Sequence, residues 1–293
     1  MASWTPVHEY DPVLHQAAFI GDLDKLKSLL VEEEQRGLIN VKNRLGCTPI
    51  RLSATAGHKN CVDYLINQGA DIEVTDIKGQ TPLHVAVKNH HTGCIQSLLQ
   101  AGASPEGDGK NISTPLYMAA MDGYTDAIKL LISHGANVNS RIVMRPLAST
   151  ALYISLVYNH FDCFKMLLQA GADPDLCCKG KQQEEYSNQS LYHTAVRQNC
   201  DEKYLLMLYE FGASLYTKDH KGQLAVDLEV HPNCSASRDL VRALMKTPRS
   251  LKSHCRLVIR RVIGGKGHSL WNQLQQLSLP NKILMYLNYD DIS

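Results

Sequence analysis

The chain's nine cysteines and thirteen histidines are its richest source of reactive side chains, and their spacing decides what they could do. Zinc sites and thiol redox sites recur as close pairs such as C-x-x-C or H-E-x-x-H. No two cysteines stand in a C-x-x-C pair, and the adjacent Cys177 and Cys178 lack the usual spacing for chelating one ion. His90 and His91 read as structural or solvated side chains. Neither a G-x-S-x-G nucleophile elbow nor a Walker-type phosphate loop occurs. Gly264-Gly265-Lys266-Gly267 is rich in glycine but lacks that spacing, and it reads as a loop. Cys255 has the apolar side of a helix for company, which favours packing over nucleophilic chemistry. The chain is therefore read as non-enzymatic, with no cofactor and no metal.

What remains is chemistry of contact. Leu251, Cys255, Val258, Ile259 and Val262 follow one another at steps of 4, 3, 1 and 3. At 100° per residue they share one side of a helix, while Lys252, Ser253, Arg256 and Arg260 lie elsewhere. Pro248 and Ser250 supply a helix start, and Gly264-Gly265 a stop. A second stretch, Leu277-Ser278-Leu279-Pro280 through Leu287, reads as a turn and a short apolar helix. Charge divides the chain at the same place. From residue 240 onward there are nine basic and two acidic residues, 9 − 2 = +7, which leaves 21 − 27 = −6 for residues 1–239. A basic tail suits nucleic acid or an acidic protein surface. Because its cations are spread at helical spacing, with no block of five, the reading is a protein partner and no nucleic acid. Met1 to Asp11 has no apolar core resembling a signal sequence, and no stretch approaches the ~18 apolar residues of a membrane span. A soluble, intracellular, cytoplasmic protein with reduced thiols is expected, with the nucleus left open.

The elements that must position this stripe come from an internal repeat. Gly-Ala recurs at residues 69, 102, 135, 171 and 212, at separations of 33, 33, 36 and 41. Upstream of each stands a related phrase: Thr48-Pro-Ile-Arg, Thr81-Pro-Leu-His, Thr114-Pro-Leu-Tyr, Thr150-Ala-Leu-Tyr and Gln189-Ser-Leu-Tyr. A degenerate first copy begins at Val13, and a partial last one at Asp219. Thr caps a helix, Pro fits its first turn, and a Gly such as Gly57 or Gly123 permits the left-handed turn that ends it. From Gly135 to Thr150 is 15 residues and from Gly171 to Gln189 is 18, against 12 from Gly102 to Thr114. The extra residues fall around 141–149 and 177–188, where insertions serve binding or are merely tolerated.

These phrases resemble the ankyrin repeat. The resemblance implies an all-α solenoid of six to seven helix-turn-helix repeats with β-hairpin fingers, stable only through stacking. It covers residues 12–245, after an N-terminal arm over 1–11. In such repeats His15 and His84 stand where the imidazole bonds neighbouring backbone. The resemblance also implies a concave surface that would hold a target protein. Its residues here are Arg44, Leu45, Ile77 and Lys78 at finger tips, with Lys88, Asn89, Met121, Asp122, Val157, Tyr158 and Arg197 at the ends of first helices. Met121 and Tyr158 look most like binding anchors.

Residues 246–293 resemble the suppressor-of-cytokine-signalling (SOCS) box, a three-helix module, and the whole chain is similar to the ankyrin-repeat-and-SOCS-box family. Ser250-Leu251, Cys255 and Ile259 match every position of that family's elongin-binding pattern, with Val258 beside them. The family's cullin-selecting pattern, Leu-Pro-x-Pro, reads Leu277-Ser278-Leu279-Pro280 here and lacks its first proline. That weakens the implied preference for cullin-5, although Ile283 keeps the apolar spacing. The resemblance implies a non-catalytic substrate receptor that joins elongin C and elongin B, and through them cullin-5 with its RING protein. The alternative is an ankyrin scaffold whose tail only caps the stack.

Overall fold

The structure is a computed structural model. It describes residues 12–31, 37–109, 111, 113–144, 147–176, 189–229, 235–264, 270–277 and 279–289. The arm at 1–11, the insertion at 177–188, the loop residues 265–267 and Ser278 lie outside the described residues.

Among the described residues six helix pairs follow one another: α1 (Val13–Ile20) with α2 (Leu23–Leu29), α3 (Pro49–Ala56) with α4 (Lys59–Asn67), and α5 (Pro82–Lys88) with α6 (Thr92–Gln100). Then come α7 (Pro115–Met121) with α8 (Thr125–Ser133), α9 (Ala151–Val157) with α10 (Phe161–Gln169), and α11 (Leu191–Arg197) with α12 (Glu202–Glu210). A seventh copy is truncated. Its first helix shrinks to a 3-10 turn, Ala225–Asp227, before α13 (Ser235–Lys246).

The repeated phrase does the local work expected of it. The Thr81 hydroxyl accepts from the His84 N–H at 3.2 Å, and the Thr150 hydroxyl from Tyr153 at 3.1 Å. These caps satisfy backbone donors that a helix start leaves free. First helices end on left-handed residues, glycine at Gly21 and Gly57 but Asn at Asn159 and Asn199. In the last pair the phrase shifts by one residue from the Gln189 register. Ser190 caps α11 and places His193, not Tyr192, in the slot of His84. The preceding insertion is thus one residue longer than the sequence spacing implied. Among the described residues, the only strand pair is β1 (Arg141–Met144) with β2 (Leu147–Thr150), antiparallel with Arg141 opposite Thr150. The three extra residues of that finger extend it into a true hairpin.

The chain divides into two compact units. One is Met1–Ala119 with Lys129–His134, and the other Ala120–Ile128 with Gly135–Ser293. In the first, Leu26, Ile50, Leu52, Leu65, Ile95 and Leu98 are fully buried between stacked helices. Each such side chain contributes roughly 1.5–3 kcal/mol. Arg51 takes the phrase's His position and is buried there against Asp76 at 2.5 Å, with Gln80 and Thr55 as further partners at 3.2 Å. Asp76 also turns its finger, accepting from the N–H groups of Lys78 and Gln80.

In the second unit Phe164, Leu167, Leu168, Tyr204, Leu205 and Leu208 form the corresponding core, with Tyr204 edge-on to Phe164 at 5.0 Å. Asp219 turns its finger as Asp76 does, accepting from Lys221 and Gln223. The tail belongs to this unit. It comprises α14 (Leu251–Gly264), α15 (Leu270–Gln276) and α16 (Asn281–Asn288). Leu270, Leu274 and Leu287 make a small core of their own, flanked by Ile263, Leu279, Leu284 and Tyr286.

Candidate functional site

The histidines are held by backbone. His58 Nε2 lies 3.0 Å from the Phe19 carbonyl, His91 Nε2 3.1 Å from Thr55 and His160 Nε2 3.0 Å from Met121. A carbonyl only accepts, so each Nε2 donates to the preceding repeat. The ring lies on that repeat's turn glycine so closely that a Cβ on Gly21, Gly57 or Gly123 would meet it at 2.5–2.6 Å. His15 Nε2 bonds the Val41 carbonyl at 2.9 Å, and His193 Nε2 that of Gln223 at 3.1 Å. The Ser190 hydroxyl stands 2.7 Å from His193 Nδ1. Burial pushes His84 down to about 4 and lowers His193, which keeps both neutral. Burial likewise pushes the Cys94 and Cys163 thiols up to about 11, away from thiolate chemistry. Among the described residues no cluster of three His, Cys, Asp or Glu could hold a metal ion. Nor is any described helix long and apolar enough to cross a membrane.

The feature that stands apart is α14. The Ser250 hydroxyl caps it, accepting from the Ser253 N–H at 3.2 Å. Its apolar stripe faces solvent: Leu251 is 80% exposed, Val258 58% and Val262 77%, and Cys255 and Ile259 are exposed beside them. The opposite side buries Ser253, Arg256 and Arg260, flanked by the half-buried Leu257 and Ile263. A helix ordinarily puts its apolar face inward. This one is inverted.

Its inward face is satisfied by the ends of other helices. Arg260 is 7% exposed and donates to the carbonyls of Leu168 and Gln169, both at 2.8 Å, and of Leu287 at 2.5 Å. These carbonyls close α10 and α16, where a helix leaves acceptors unpaired and carries partial negative charge. The guanidinium also sits over the rings of Phe211 (5.2 Å) and Tyr289 (5.1 Å), which stack on each other at 3.7 Å. Burial lowers Arg260 to about 10, so it remains a cation at neutral pH. Arg249 works the same way at the end of α12, donating to Tyr209 O at 3.1 Å and Ala213 O at 3.0 Å. Tyr289 OH donates to Glu210 O at 2.8 Å, and Gln169 Nε2 to Asn288 O at 2.9 Å. Part of the tail's basic charge is thus spent inside the molecule. Sequence reasoning placed Arg256 and Arg260 off the apolar face but missed that they are buried. Their partners are main-chain carbonyls, which leave no mark in composition.

The second set of tail residues divides. Leu277 and Ile283 are exposed, as is Pro280, which precedes α16. Leu279 packs on the tail's own core. An open groove of about 430 Å³ runs beside Ile283, lined also by Lys252, Lys282, Met285 and Tyr286.

The target-surface residues are described unit by unit. In the first, Arg44, Ile77, Lys78, Lys88 and Asn89 are exposed and Leu45 half-buried, and Asn89 Nδ2 donates to Thr55 O at 2.8 Å. In the second, Tyr158, Asp122 and Arg197 are exposed, whereas Val157 and Met121 are half-buried. Tyr158 lies parallel to the His160 ring with centroids 6.5 Å apart. Arg197 approaches Asp219 at 3.7 Å. Met121 offers less free surface than its place in the repeat implied.

Known proteins match this architecture segment by segment. The family model of ankyrin repeats matches residues 14–108 and 105–178, and that of the SOCS box residues 247–288. The α11–α12 pair lies between these matches, and its Ser190 cap and His193 contact carry the repeat onward. Among solved structures, the human ASB11 ankyrin repeat domain shares the fold at TM-score 0.64 and 24% identity, covering 82% of this chain and 100% of that one. The ankyrin repeat domain of Bcl-3 does so at 0.65 and 23%, with the same coverage. Mouse ankyrin repeat and SOCS box protein 1 is 45% identical over 97% of this chain and 90% of its own length. Human ankyrin repeat and SOCS box protein 12 is 45% identical over 96% and 92%. With both modules matched in order and relatives this similar over nearly the whole length, the chain belongs to the ankyrin-repeat and SOCS-box protein family.

Proposed function

We propose that this protein is the substrate-recognition adaptor of a ubiquitin ligase, acting in the cytoplasm. Leu251, Cys255, Val258 and Ile259 dock into a cleft of elongin C, which carries elongin B. Leu277, Pro280 and Ile283 face cullin-5 with its RING protein. Exposed residues of the repeats, Tyr158 foremost in their unit, hold a target protein. The adaptor contributes proximity and no catalytic side chain. One observation carries this reading. Helix α14 holds five apolar or thiol side chains toward solvent while Ser253, Arg256 and Arg260 are buried on its other side, and an exposed apolar stripe of this kind marks an interaction surface. Burying Leu251 in a partner would contribute roughly 1.5–3 kcal/mol, as an anchor in a helix-in-groove contact. The tail also covers the end of the stack, so capping and docking are the two faces of one helix.

The test is the double variant Leu251→Pro with Cys255→Phe in the full chain. Leu251 is the first residue of α14, where proline is tolerated, so the helix survives while its anchor is lost. Elongin C should no longer co-purify, with the melting temperature unchanged. Retained co-purification would refute the assignment of Leu251 and Cys255 as docking residues.

A further inference from the structure

Half a turn of α14 about its own axis would put Leu251, Cys255, Val258, Ile259 and Val262 onto the stack; the observed rotation turns Ser253, Arg256 and Arg260 inward. The two sets lie on opposite sides of the helix. Hydrophobic burial by itself favours the first rotation. The second is held by Leu257 beside Gly212, by Ser253 Oγ donating to Glu210 at 3.2 Å, by Arg256 over the rings of Tyr286 and Tyr289, and most extensively by one further side chain. Arg260 spans three carbonyls from two helices and two aromatic rings, and its partners Leu168 and Gln169 are 92 and 91 positions away.

We propose that Arg260 is a positioning residue that selects the rotation of α14 and so holds the docking stripe outward, ready for its partner. Without it the helix rolls, or folds its stripe onto the end of the repeats, and the stripe is hidden. Its consequence for ligase assembly rests on the docking role proposed above; the rotation itself does not.

Cys255 reports the rotation directly, because it sits in the stripe and is exposed, whereas Cys163 is buried in α10. Full-length protein carrying Arg260→Met would be treated with a maleimide under native conditions, and each cysteine followed by peptide mass spectrometry. Each hydrogen bond to a charged group is worth about a factor of ten or more, and losing all three from Arg260 lets the stripe-inward rotation dominate. Cys255 labelling should therefore slow by about tenfold or more, Cys163 should stay protected, and elongin C affinity should fall in step. Arg260→Lys, which keeps a cation, should recover part of the labelling. Unchanged Cys255 labelling with Cys163 protected overturns the proposal. So does exposure of Cys163, because Arg260 would then merely hold the repeats together. If labelling slows as stated but the unmodified chain does not bind elongin C, the docking role fails and the selection of the helix face stands.

Discussion

The repeats and the tail solve the same packing problem with opposite polarity. In the stack, Leu65 on α4 is wholly buried, and the charged Arg51 is admitted inside only because Asp76 neutralises it. In the tail, Leu251 is turned to solvent and Arg260 is admitted without a carboxylate, held by helix-end carbonyls and ring faces. A repeat is finished once its neighbours cover it. The tail leaves an apolar face uncovered, which is what a surface awaiting a partner requires.

The comparison breaks most visibly at Asp76. Asp76→Ala strands the buried Arg51 charge and should cost about 3–5 kcal/mol in denaturant unfolding. A loss below ~1 kcal/mol would mean that the stack tolerates a lone arginine as the tail does. The leucines sharpen the contrast. Leu65→Ala should destabilise by about 2–5 kcal/mol, whereas Leu251→Ala should stay within about 0.5 kcal/mol of the unmodified chain. A large stability loss at Leu251 would show that it is a core residue. A smaller effect than that of Leu65→Ala is set by pH. His84 is held near 4, below its ordinary 6.5, so between these values the unfolded chain binds protons that the folded chain excludes. Stability should therefore fall on acidification, by on the order of 2 kcal/mol from pH 7 to pH 5. His84→Gln should flatten that slope in melts at the two pH values.

Much of the stack was legible because its determinants are local and recur. Thr81, Pro82 and Gly57 each act within a few residues of themselves, so their spacing alone reveals the helix pairs. The register at Gln189–Ser190 slipped because both phrasings place Leu191 and Tyr192 on the same helix, and only the cap hydrogen bond separates them. In the tail the outward stripe was visible as a periodicity, but not its inversion. Whether an apolar face turns in or out depends on what its other side can reach. For Arg260 that is backbone from α10 and α16.

The glycines that close the second helices carry one more consequence. Gly69, Gly102 and Gly135 look into open space, but a Cβ on Gly171 would touch Leu270 at 3.0 Å, and one on Gly212 would touch Leu257 at 3.1 Å. At these glycines the tail is therefore keyed to the last two full repeats. A chain lengthened or shortened by whole modules ahead of α9 would keep every atom of that joint. The same edit made after α10 would sever it. Reach toward the target and attachment to the machinery can thus be altered independently, with the dividing line at the fifth module.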